Sequence, residues 1–232
     1  VLRQVAVAGD RVWVEEPCGP YLRAAPSKAG LIPVPVAVDQ HGIDVSQGIS
    51  KAPHARLAIV QPTHQYPTGA TLSLARREEL VTWCETSGAW ILECEIDGDY
   101  RFAPHPLPAL HALSKANRVF YCGSLSKPLA PGLRTNYVVV PRGLMEQFSL
   151  TATLVSMLTQ LVLARFNAEG HLASHMRRMR SLYARRRTVL LEALRATTAD
   201  YLALPSVPEG GLRVAATLKH AADDVQLSRR CL

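Results

Sequence analysis

The part of the sequence best suited to chemistry is a lysine that follows a short apolar run. Lys127 directly follows Ser126, and Ser124 stands three positions before the lysine. Arg134 comes seven positions after it. A lysine sheltered from water loses its proton more easily, becomes a nucleophile near neutral pH, and can form a Schiff base with an aldehyde cofactor. The two hydroxyls can donate to a phosphate, and the guanidinium can clamp it with two parallel hydrogen bonds. By itself this pattern is a weak signal, and a surface lysine explains it better. The alternative is a site for a phosphorylated aldehyde, with a turn at Pro131 bringing the arginine back.

Alternating apolar runs and helical patterns predict the elements that hold this lysine. We predict strands at 57–60, 90–92, 118–122 and 137–140, and helices at 74–86 and from 144 to about 194. Gly88 is placed to end the first of these helices, and Pro33 and Pro35 make the run 31–38 an edge strand at best. Strands alternating with helices predict an α/β fold with a mostly parallel sheet covered on both faces. Ligands in such sheets bind beyond the carboxyl ends of the strands, which selects the segments 61–69, 93–101 and 123–127.

The distribution of charge leaves two readings open. The 232 residues carry a formal net charge of +7, and many of the positive residues fall in one stretch. This stretch alternates arginines with apolar residues at the spacing of an amphipathic helix with a basic outer face. Its arginines are Arg177, Arg178, Arg180, Arg185, Arg186 and Arg187. A solvated helix face explains them, and a phosphate or DNA surface is the alternative, although no zinc-finger pattern or aromatic RNA platform supports it.

Cysteines and histidines do not form a recognisable metal site. The five cysteines are scattered without a CxxC pair, which favours reduced thiols over disulfides or a zinc site. His171 and His175 stand four apart on a predicted helix, but no acidic or histidine partner follows at a telling spacing. We therefore predict no metal ion and assign this histidine pair to the surface or the core.

Composition and hydropathy indicate a globular protein outside the membrane. Apolar residues make up 48% of the sequence, enough for a substantial core, and no continuous apolar span is long enough to cross a bilayer. The first residues lack the charged leader and long apolar block of a signal peptide. The expectation is a cytoplasmic protein without a membrane partner.

The longer string around the lysine resembles a known family. Residues 124–134 read Ser-Leu-Ser-Lys-Pro-Leu-Ala-Pro-Gly-Leu-Arg, which closely resembles the lysine motif of class I/II aminotransferases. Residues 62–69, Pro-Thr-His-Gln-Tyr-Pro-Thr-Gly, are similar to a segment of the aminotransferase-like domain of MocR-type regulators in the GntR superfamily. Further similar segments follow in the family's order at 9–17, 107–110, 170–172, 175–180 and 209–212. The resemblance covers essentially the whole chain.

This resemblance implies a fold, a cofactor and a set of site residues. The fold is the large domain of fold-type I pyridoxal-phosphate-dependent transferases, followed by the start of a small C-terminal α/β domain. The cofactor is pyridoxal 5'-phosphate, and Lys127 is the lysine that carries it and acts as the catalytic residue. The cofactor contacts implied are those of Lys127, Ser124, Ser126, Arg134, Cys94 and Tyr66.

The resemblance also implies how the chain is divided. Residues 1–165 correspond to the large domain without its N-terminal part, and residues 166–232 to a connecting helix and part of the small domain. The family's glycine- and serine-containing phosphate-binding turn is expected before Val1, and the arginine that grips the substrate carboxylate is expected after Leu232. DNA contact is expected only through a winged-helix domain outside this chain.

Three positions depart from the family's pattern around the cofactor ring. Cys94 stands where the family has the aspartate that holds the pyridinium nitrogen, and Ile96 where it has a tyrosine. A neutral thiol is a poor counter-ion for a pyridinium, and Glu95 points to the opposite face of a strand. Gly19 replaces a stacking aromatic residue, for which Tyr21 is an unconvincing substitute. We expect weakened ring contacts, while the lysine and phosphate contacts are kept.

Three functions are compatible with this pattern. The leading hypothesis is the cofactor-binding effector domain of a MocR-type transcriptional regulator that senses an amino acid, an amine or the vitamer itself. The alternative is a free-standing aminotransferase that moves an amino group between an amino acid and a 2-oxo acid, with weak or no turnover as this chain. The third is a remnant that no longer binds the cofactor. The resemblance implies a homodimer for the complete protein.

Overall fold

The computed structural model describes residues 1–96, 98–102, 107–149, 155–204, 210–220 and 223–230. The strands are β1 Arg11–Glu16, β2 Ile32–Asp39, β3 Gly42–Ile43, β4 Leu57–Val60, β5 Trp90–Glu95, β6 Val119–Ser124, β7 Asn136–Val139, β8 Leu202–Ala203 and β9 Thr217–Leu218. The helices are α1 Leu2–Val5, α2 Pro20–Lys28, α3 Val45–Lys51, α4 Leu74–Ser87, α5 Leu110–Leu113, α6 Met145–Ser149, α7 Met157–Ala168, α8 His171–Thr198 and α9 Asp224–Arg230. Single 3₁₀ turns span Pro131–Leu133 and Arg142–Leu144.

Seven of these strands form one mostly parallel sheet in the order β3-β2-β1-β4-β5-β6-β7. The five central strands are parallel, while β3 and β7 run antiparallel at the two edges. β2 has β1 on one side along its length and meets β3 only at Val38 and Asp39, as expected of a strand that carries two prolines. The α/β class with a mostly parallel sheet, predicted from the sequence, is confirmed.

The centre of the sheet, strands β1, β4 and β5, is buried between two layers, whereas the edge strand β7 is exposed. All four residues of β4 are buried, as the sequence run predicts. On one face Trp13 stacks on Trp83 of α4, with ring centroids 3.8 Å apart, and Gly48 leaves room for the Trp13 ring. On the other face Phe120 packs with Val5 of α1 and partly buried residues of the segment 140–148. The two layers hold the carboxyl ends of the strands in fixed positions.

Helix α4 shows how local sequence sets the ends of an element. The Ser73 hydroxyl accepts a hydrogen bond from the backbone N–H of Arg76 and caps the first turn. Gly88 ends the helix with φ 70°, a left-handed conformation that glycine adopts at little cost. The helix predicted at 74–86 is confirmed with one further residue at its end.

Two strands are longer than the sequence pattern predicts. We predict 90–92 and 118–122, whereas β5 extends to Glu95 and β6 to Ser124. The carboxylate of Glu93 accepts hydrogen bonds from the backbone N–H groups of Leu110 and His111, both at 2.9 Å, so a buried acidic residue is accommodated inside β5. Glu93, Cys94 and Glu95 are therefore the last residues of β5, and Ser124 is the last residue of β6, although the sequence pattern places them after the strands.

The long helix α8 is amphipathic as predicted. Met176 and Leu191 are buried, while Arg177, Arg178 and Arg185 are exposed. In the described part of the chain, no helix combines the length and apolarity needed to span a membrane.

Candidate functional site

The turn after β6 is closed by hydrogen bonds between its two limbs. The Ser126 hydroxyl accepts from the backbone N–H of Thr135 at 2.8 Å and donates to the Thr135 carbonyl at 3.3 Å. The backbone N–H of Leu125 donates to the same carbonyl at 2.9 Å. Residues 127–134 therefore form a loop that is pinned at its base, directly at the carboxyl end of β6.

Lys127 and Arg134 are the first residues outward from this base, one on each limb. Lys127 is half-buried and Arg134 is exposed. Arg134 has φ 45° and ψ 36°, the left-handed region that costs a non-glycine residue conformational energy. The 3₁₀ turn Pro131–Leu133 precedes it, at the position where the sequence predicts the chain to return. The fold thus places an amine and a guanidinium on the two sides of one loop.

The two serines before the lysine have different partners. The Ser124 hydroxyl accepts a hydrogen bond from the backbone N–H of Ser126 at 3.3 Å, and its own hydrogen has no acceptor among the described residues. The Ser126 hydroxyl is occupied on both sides by Thr135. Ser124 is therefore the hydroxyl with a hydrogen to donate to an anion, whereas Ser126 holds the loop together.

The neighbouring end of β5 presents different groups to its two faces. Cys94 is buried in the apolar cluster of Val14, Ile59 and Phe120, and burial raises the pKa of its thiol well above the ordinary value. It lies in register with Cys122 of β6, so both thiols belong to the same face of the sheet. Among the described residues at the end of β5, none places a carboxylate on this face.

Glu95 lies on the opposite face, as the alternation of a strand requires. Its side chain is 1% exposed, and one carboxylate oxygen is 3.8 Å from a guanidinium nitrogen of Arg101. Neither oxygen has a hydrogen bond of ordinary geometry to a described residue, although Thr63 lies close by. Burial raises the pKa of Glu95 to about 7. This placement agrees with the prediction that Glu95 cannot replace a carboxylate at position 94, because the two side chains lie on opposite faces of the sheet.

The other residues at positions where the family contacts the cofactor ring are Ile96 and Gly19, with Tyr21 close to the glycine in sequence. Ile96 is half-buried at the end of β5, and Asp97 lies outside the described residues. Tyr21 is 87% exposed on α2. A Cβ atom on Gly19 would stand 3.2 Å from the ring of Tyr66, so the Tyr66 ring occupies the space beside this glycine.

The segment after β4 is organised by a buried glutamine. The Gln65 side chain is 1% exposed. Its amide nitrogen donates to the Pro17 carbonyl at 2.6 Å, and its amide oxygen accepts from the Thr68 hydroxyl at 2.6 Å. Glu15 accepts from the backbone N–H of Gln61 at 3.1 Å, and burial raises its pKa to about 7. These contacts fix the backbone on which Tyr66 stands.

Tyr66 is 37% exposed, and it meets a residue from the C-terminal part of the chain. The Arg213 guanidinium lies 4.6 Å from the centre of the Tyr66 ring, within the range of a cation–π interaction. A Cβ atom on Gly210 would overlap the ring of His64, so glycine is required for this close approach. Glu209, which precedes it in the segment similar to the family's small domain, lies outside the described residues.

One buried cation escapes the sequence pattern. Arg77 of α4 is fully buried and donates to the carbonyls of Pro62, Leu72 and Pro108 at 2.8–2.9 Å. Burial lowers the pKa of this guanidinium, while the nearby Glu95 and Glu93 oppose that change. An arginine on a predicted surface helix gives no sequence signal of this role, because the burial depends on the loops that fold over it.

The loop after β6 carries groups of the kinds that bind a phosphorylated aldehyde. Lys127 supplies an amine, and Ser124 and Arg134 supply donors suited to an anion. The thiol of Cys94 supplies no charge for a protonated ring nitrogen. The described residues contain no group of three or more histidine, cysteine, aspartate or glutamate side chains that could hold a metal ion.

Similar proteins fall into two groups, regulators and aminotransferases. The chain is 36% identical over 233 residues to the probable rhizopine catabolism regulatory protein MocR of Rhizobium meliloti, an alignment that covers 98% of this chain and 46% of that protein. It is 34% identical over 195 residues to the pyridoxine biosynthesis transcriptional regulator PdxR of Corynebacterium glutamicum, covering 81% of this chain and 41% of the regulator. The chain therefore spans less than half the length of these two regulators.

Two solved structures of aminotransferases have the same fold as this chain. Kynurenine aminotransferase of Pyrococcus horikoshii is 27% identical with a TM-score of 0.85, covering 96% of this chain and 58% of that one. The α-aminoadipate aminotransferase LysN of Thermus thermophilus, complexed with N-(5'-phosphopyridoxyl)-L-leucine, is 26% identical with a TM-score of 0.85, covering 97% and 60%. The fold is thus that of fold-type I transferases, and these relatives imply pyridoxal phosphate as the cofactor. Because the family model for aminotransferase class I and II matches residues 1–231, the chain belongs to the aminotransferase class I and II family.

Proposed function

We propose that this chain is the pyridoxal-phosphate-binding effector domain of a MocR-type transcriptional regulator. The observation that carries the proposal is the pinned loop after β6, with Lys127 and Arg134 on its two limbs and Ser124 at its base. The identity of 36% to a MocR regulator over nearly the whole chain supports the regulatory rather than the metabolic role. Residues 1–165 would form the cofactor-binding domain, and residues 166–232 the connecting helix and part of the small domain.

Each residue of the loop has a proposed role. Lys127 would attach the cofactor covalently, and Ser124 and Arg134 would bind its phosphate. Pyridoxal phosphate supplies an aldehyde for the lysine and a ring that withdraws electrons. Ser126 would act through its hydrogen bonds to Thr135, which keep the two limbs of the loop together.

The end of β5 determines how much chemistry such a site performs. A carboxylate at position 94 would give a protonated ring nitrogen a charge-assisted hydrogen bond worth about 1.5–3 kcal/mol, which the neutral thiol of Cys94 would not supply. Attachment at Lys127 would not require this bond, whereas the electron withdrawal that the ring would supply to a reaction would be weaker without it. This favours a domain that holds the cofactor and senses a ligand over one that turns substrate over.

The partners follow from the same proposal. The ligand would be an amino acid, an amine or the vitamer itself, because such compounds react with or displace the lysine. The complete protein would be a cytoplasmic homodimer that reaches DNA through a winged-helix domain outside this chain.

Borohydride trapping tests the proposal directly. The chain is incubated with pyridoxal phosphate, reduced with borohydride, digested and mapped by mass spectrometry. We expect a phosphopyridoxyl label on Lys127 and not on the other four lysines, Lys28, Lys51, Lys115 and Lys219. Absence of a label at Lys127, with the chain shown to be folded, would refute the proposal and favour a remnant that binds no cofactor.

A free-standing aminotransferase is the second candidate. The aromatic-amino-acid aminotransferase 1 of Thermococcus litoralis is 28% identical over 228 residues, covering 93% of this chain and 54% of that enzyme. The two candidates differ in what happens after an amino acid is added to the cofactor-loaded protein. Rapid conversion of the cofactor absorbance to that of the pyridoxamine form favours the enzyme, and a stable absorbance favours the effector domain.

A further inference from the structure

Helix α8 contacts the lysine loop through one histidine. The Nε2 atom of His175 lies 2.7 Å from the carbonyl oxygen of Pro128, the residue directly after Lys127. A carbonyl oxygen can only accept, so the hydrogen of this bond belongs to Nε2. Pro128 is buried and His175 is half-buried, so water competes weakly for this contact. The bond joins positions 47 residues apart in the sequence.

The rest of the loop explains why this contact matters. The Ser126 and Thr135 bonds fix the base of the loop, but they lie on the strand side of Lys127. Pro128 has no N–H and offers only its carbonyl as a backbone hydrogen-bonding group. The N–H of the same peptide belongs to Leu129 and donates to the Leu125 carbonyl at 3.2 Å, in a turn that closes over Lys127. The bond from His175 adds a second hold on this peptide and ties it to α8, so the lysine backbone is held from both sides.

We infer that His175 is a positioning residue for Lys127, acting through the Pro128 carbonyl. The inference rests on the proposed function, in which Lys127 is the attachment point of the cofactor. A lysine whose backbone is held on both sides presents its amine in fewer orientations, which lowers the entropic cost of attachment. The hydrogen bond of His175 is to the Pro128 carbonyl and not to a proposed phosphate donor, so the inference assigns its effect to the position of the loop.

Two residues on the same helix provide matched controls. His171 lies one turn earlier, is exposed, and stands 3.2 Å from a carboxylate oxygen of Glu169. Arg180 donates through Nε to the Asp99 carbonyl at 2.7 Å, so it attaches α8 to the loop after β5 instead. Replacing Arg180 removes one hydrogen bond of α8 without touching the lysine loop. It therefore separates general loosening of the helix from a specific effect on Lys127.

The experiment compares His175→Ala, His175→Gln, His171→Ala and Arg180→Ala in two measurements. The first is the concentration of pyridoxal phosphate that gives half-maximal borohydride labelling of Lys127. We expect about a three- to tenfold increase for His175→Ala, the loss of one partly buried hydrogen bond. His175→Gln retains an N–H donor and should restore labelling to within about twofold of wild type. The two control variants should match wild type.

The second measurement needs no cofactor. Amide hydrogen exchange across 125–135 should be faster in His175→Ala than in wild type and in Arg180→Ala. Equal labelling and equal exchange in His175→Ala and wild type would overturn the inference, as would an equal effect in Arg180→Ala. If wild type itself takes no label, the proposed function fails, whereas the exchange measurement still decides whether His175 holds the loop.

Discussion

The ends of β5 and β6 lie side by side in the sheet, yet their polar groups differ in how they are hydrogen-bonded. At the end of β6, Ser124, Ser126 and Thr135 bond to one another and leave a hydroxyl hydrogen and a guanidinium for an anion. At the end of β5, a neutral thiol is buried on one face and a carboxylate without ordinary hydrogen bonds on the other. Under the proposed function, anion binding and covalent attachment would depend on the end of β6, and contacts to the cofactor ring on the end of β5.

Replacement of Lys127 should have the largest effect at the end of β6, because it removes the amine. Lys127→Gln should abolish borohydride-stable labelling by pyridoxal phosphate, because an amide cannot form a Schiff base. Lys115→Gln, which changes an exposed lysine shortly before β6, should label like wild type. Labelling that persists in Lys127→Gln, measured by mass spectrometry of the intact chain, would place the attachment elsewhere.

The buried carboxylate at the β5 end should make stability depend on pH. The pKa of Glu95 is about 7 in the folded chain against an ordinary 4.5. Below pH 4.5 both the folded and the unfolded state keep the proton. Between pH 4.5 and about 7 only the unfolded state releases it, so the free energy of unfolding falls with rising pH, by roughly 3 kcal/mol in total.

Denaturant unfolding of Glu95→Gln at several pH values tests this expectation. The free energy of unfolding of the variant should fall less with rising pH, because the variant has no carboxyl group at position 95. Above pH 7 it should exceed that of wild type by roughly 3 kcal/mol. Glu79→Gln, an exposed change on α4, should follow the wild-type profile. The same pH profile in Glu95→Gln and wild type would contradict the raised pKa.

An aspartate at position 94 would place a carboxylate on the face of β5 that is opposite to Glu95. Cys94→Asp should bind pyridoxal phosphate about ten- to a hundredfold more tightly, because an ionised acceptor returns to the ring nitrogen. The same change should lower the free energy of unfolding without cofactor by about 1–3 kcal/mol, because the carboxylate then lies in an apolar cluster. Cys94→Ser is the neutral control, and equal affinities for the two variants would disprove a role for charge at this position.

The smallest effects should separate the two serines of the β6 end. Ser124→Ala should weaken cofactor labelling by about three- to tenfold, because it removes a donor to the anion. It should lower the free energy of unfolding less than Ser126→Ala does, because it removes only one hydrogen bond, from the Ser126 N–H at 3.3 Å. Ser126→Ala should lower the free energy of unfolding by about 1–2 kcal/mol, because two bonds to Thr135 are lost. Thermal unfolding and labelling of both variants check this, and the reverse pattern would exchange the two roles.

The lysine loop and the sheet could be predicted from the sequence, because both depend on local patterns. The all-apolar run of β4 and the Ser73 to Gly88 frame of α4 determine their elements almost alone. The extension of β5 through Glu93 could not be predicted, because its carboxylate is satisfied by backbone N–H groups 17 and 18 residues away. Sequence spacing does not encode such distant partners.

The hydrogen-bond partners of individual side chains are harder to predict. The sequence predicts Ser126 as a phosphate donor, but Thr135, nine residues later, occupies its hydroxyl. The spacing of His171 and His175 predicts a surface or core pair, whereas the contact of His175 depends on how α8 crosses the loop. No sequence pattern predicts the burial of Arg77 on α4. These placements are decided by tertiary packing, whereas residue type and spacing carry only the local signal.

The positions of the three tryptophans have a practical consequence for measurement. Trp13 and Trp83 are stacked in the core and Trp90 begins β5, so no indole belongs to the proposed cofactor contacts. Tryptophan emission of the chain without cofactor should therefore report unfolding of the sheet. With a coloured cofactor on the lysine loop, the same indoles become energy-transfer donors held at fixed distances from it, so quenching of their emission should report occupancy.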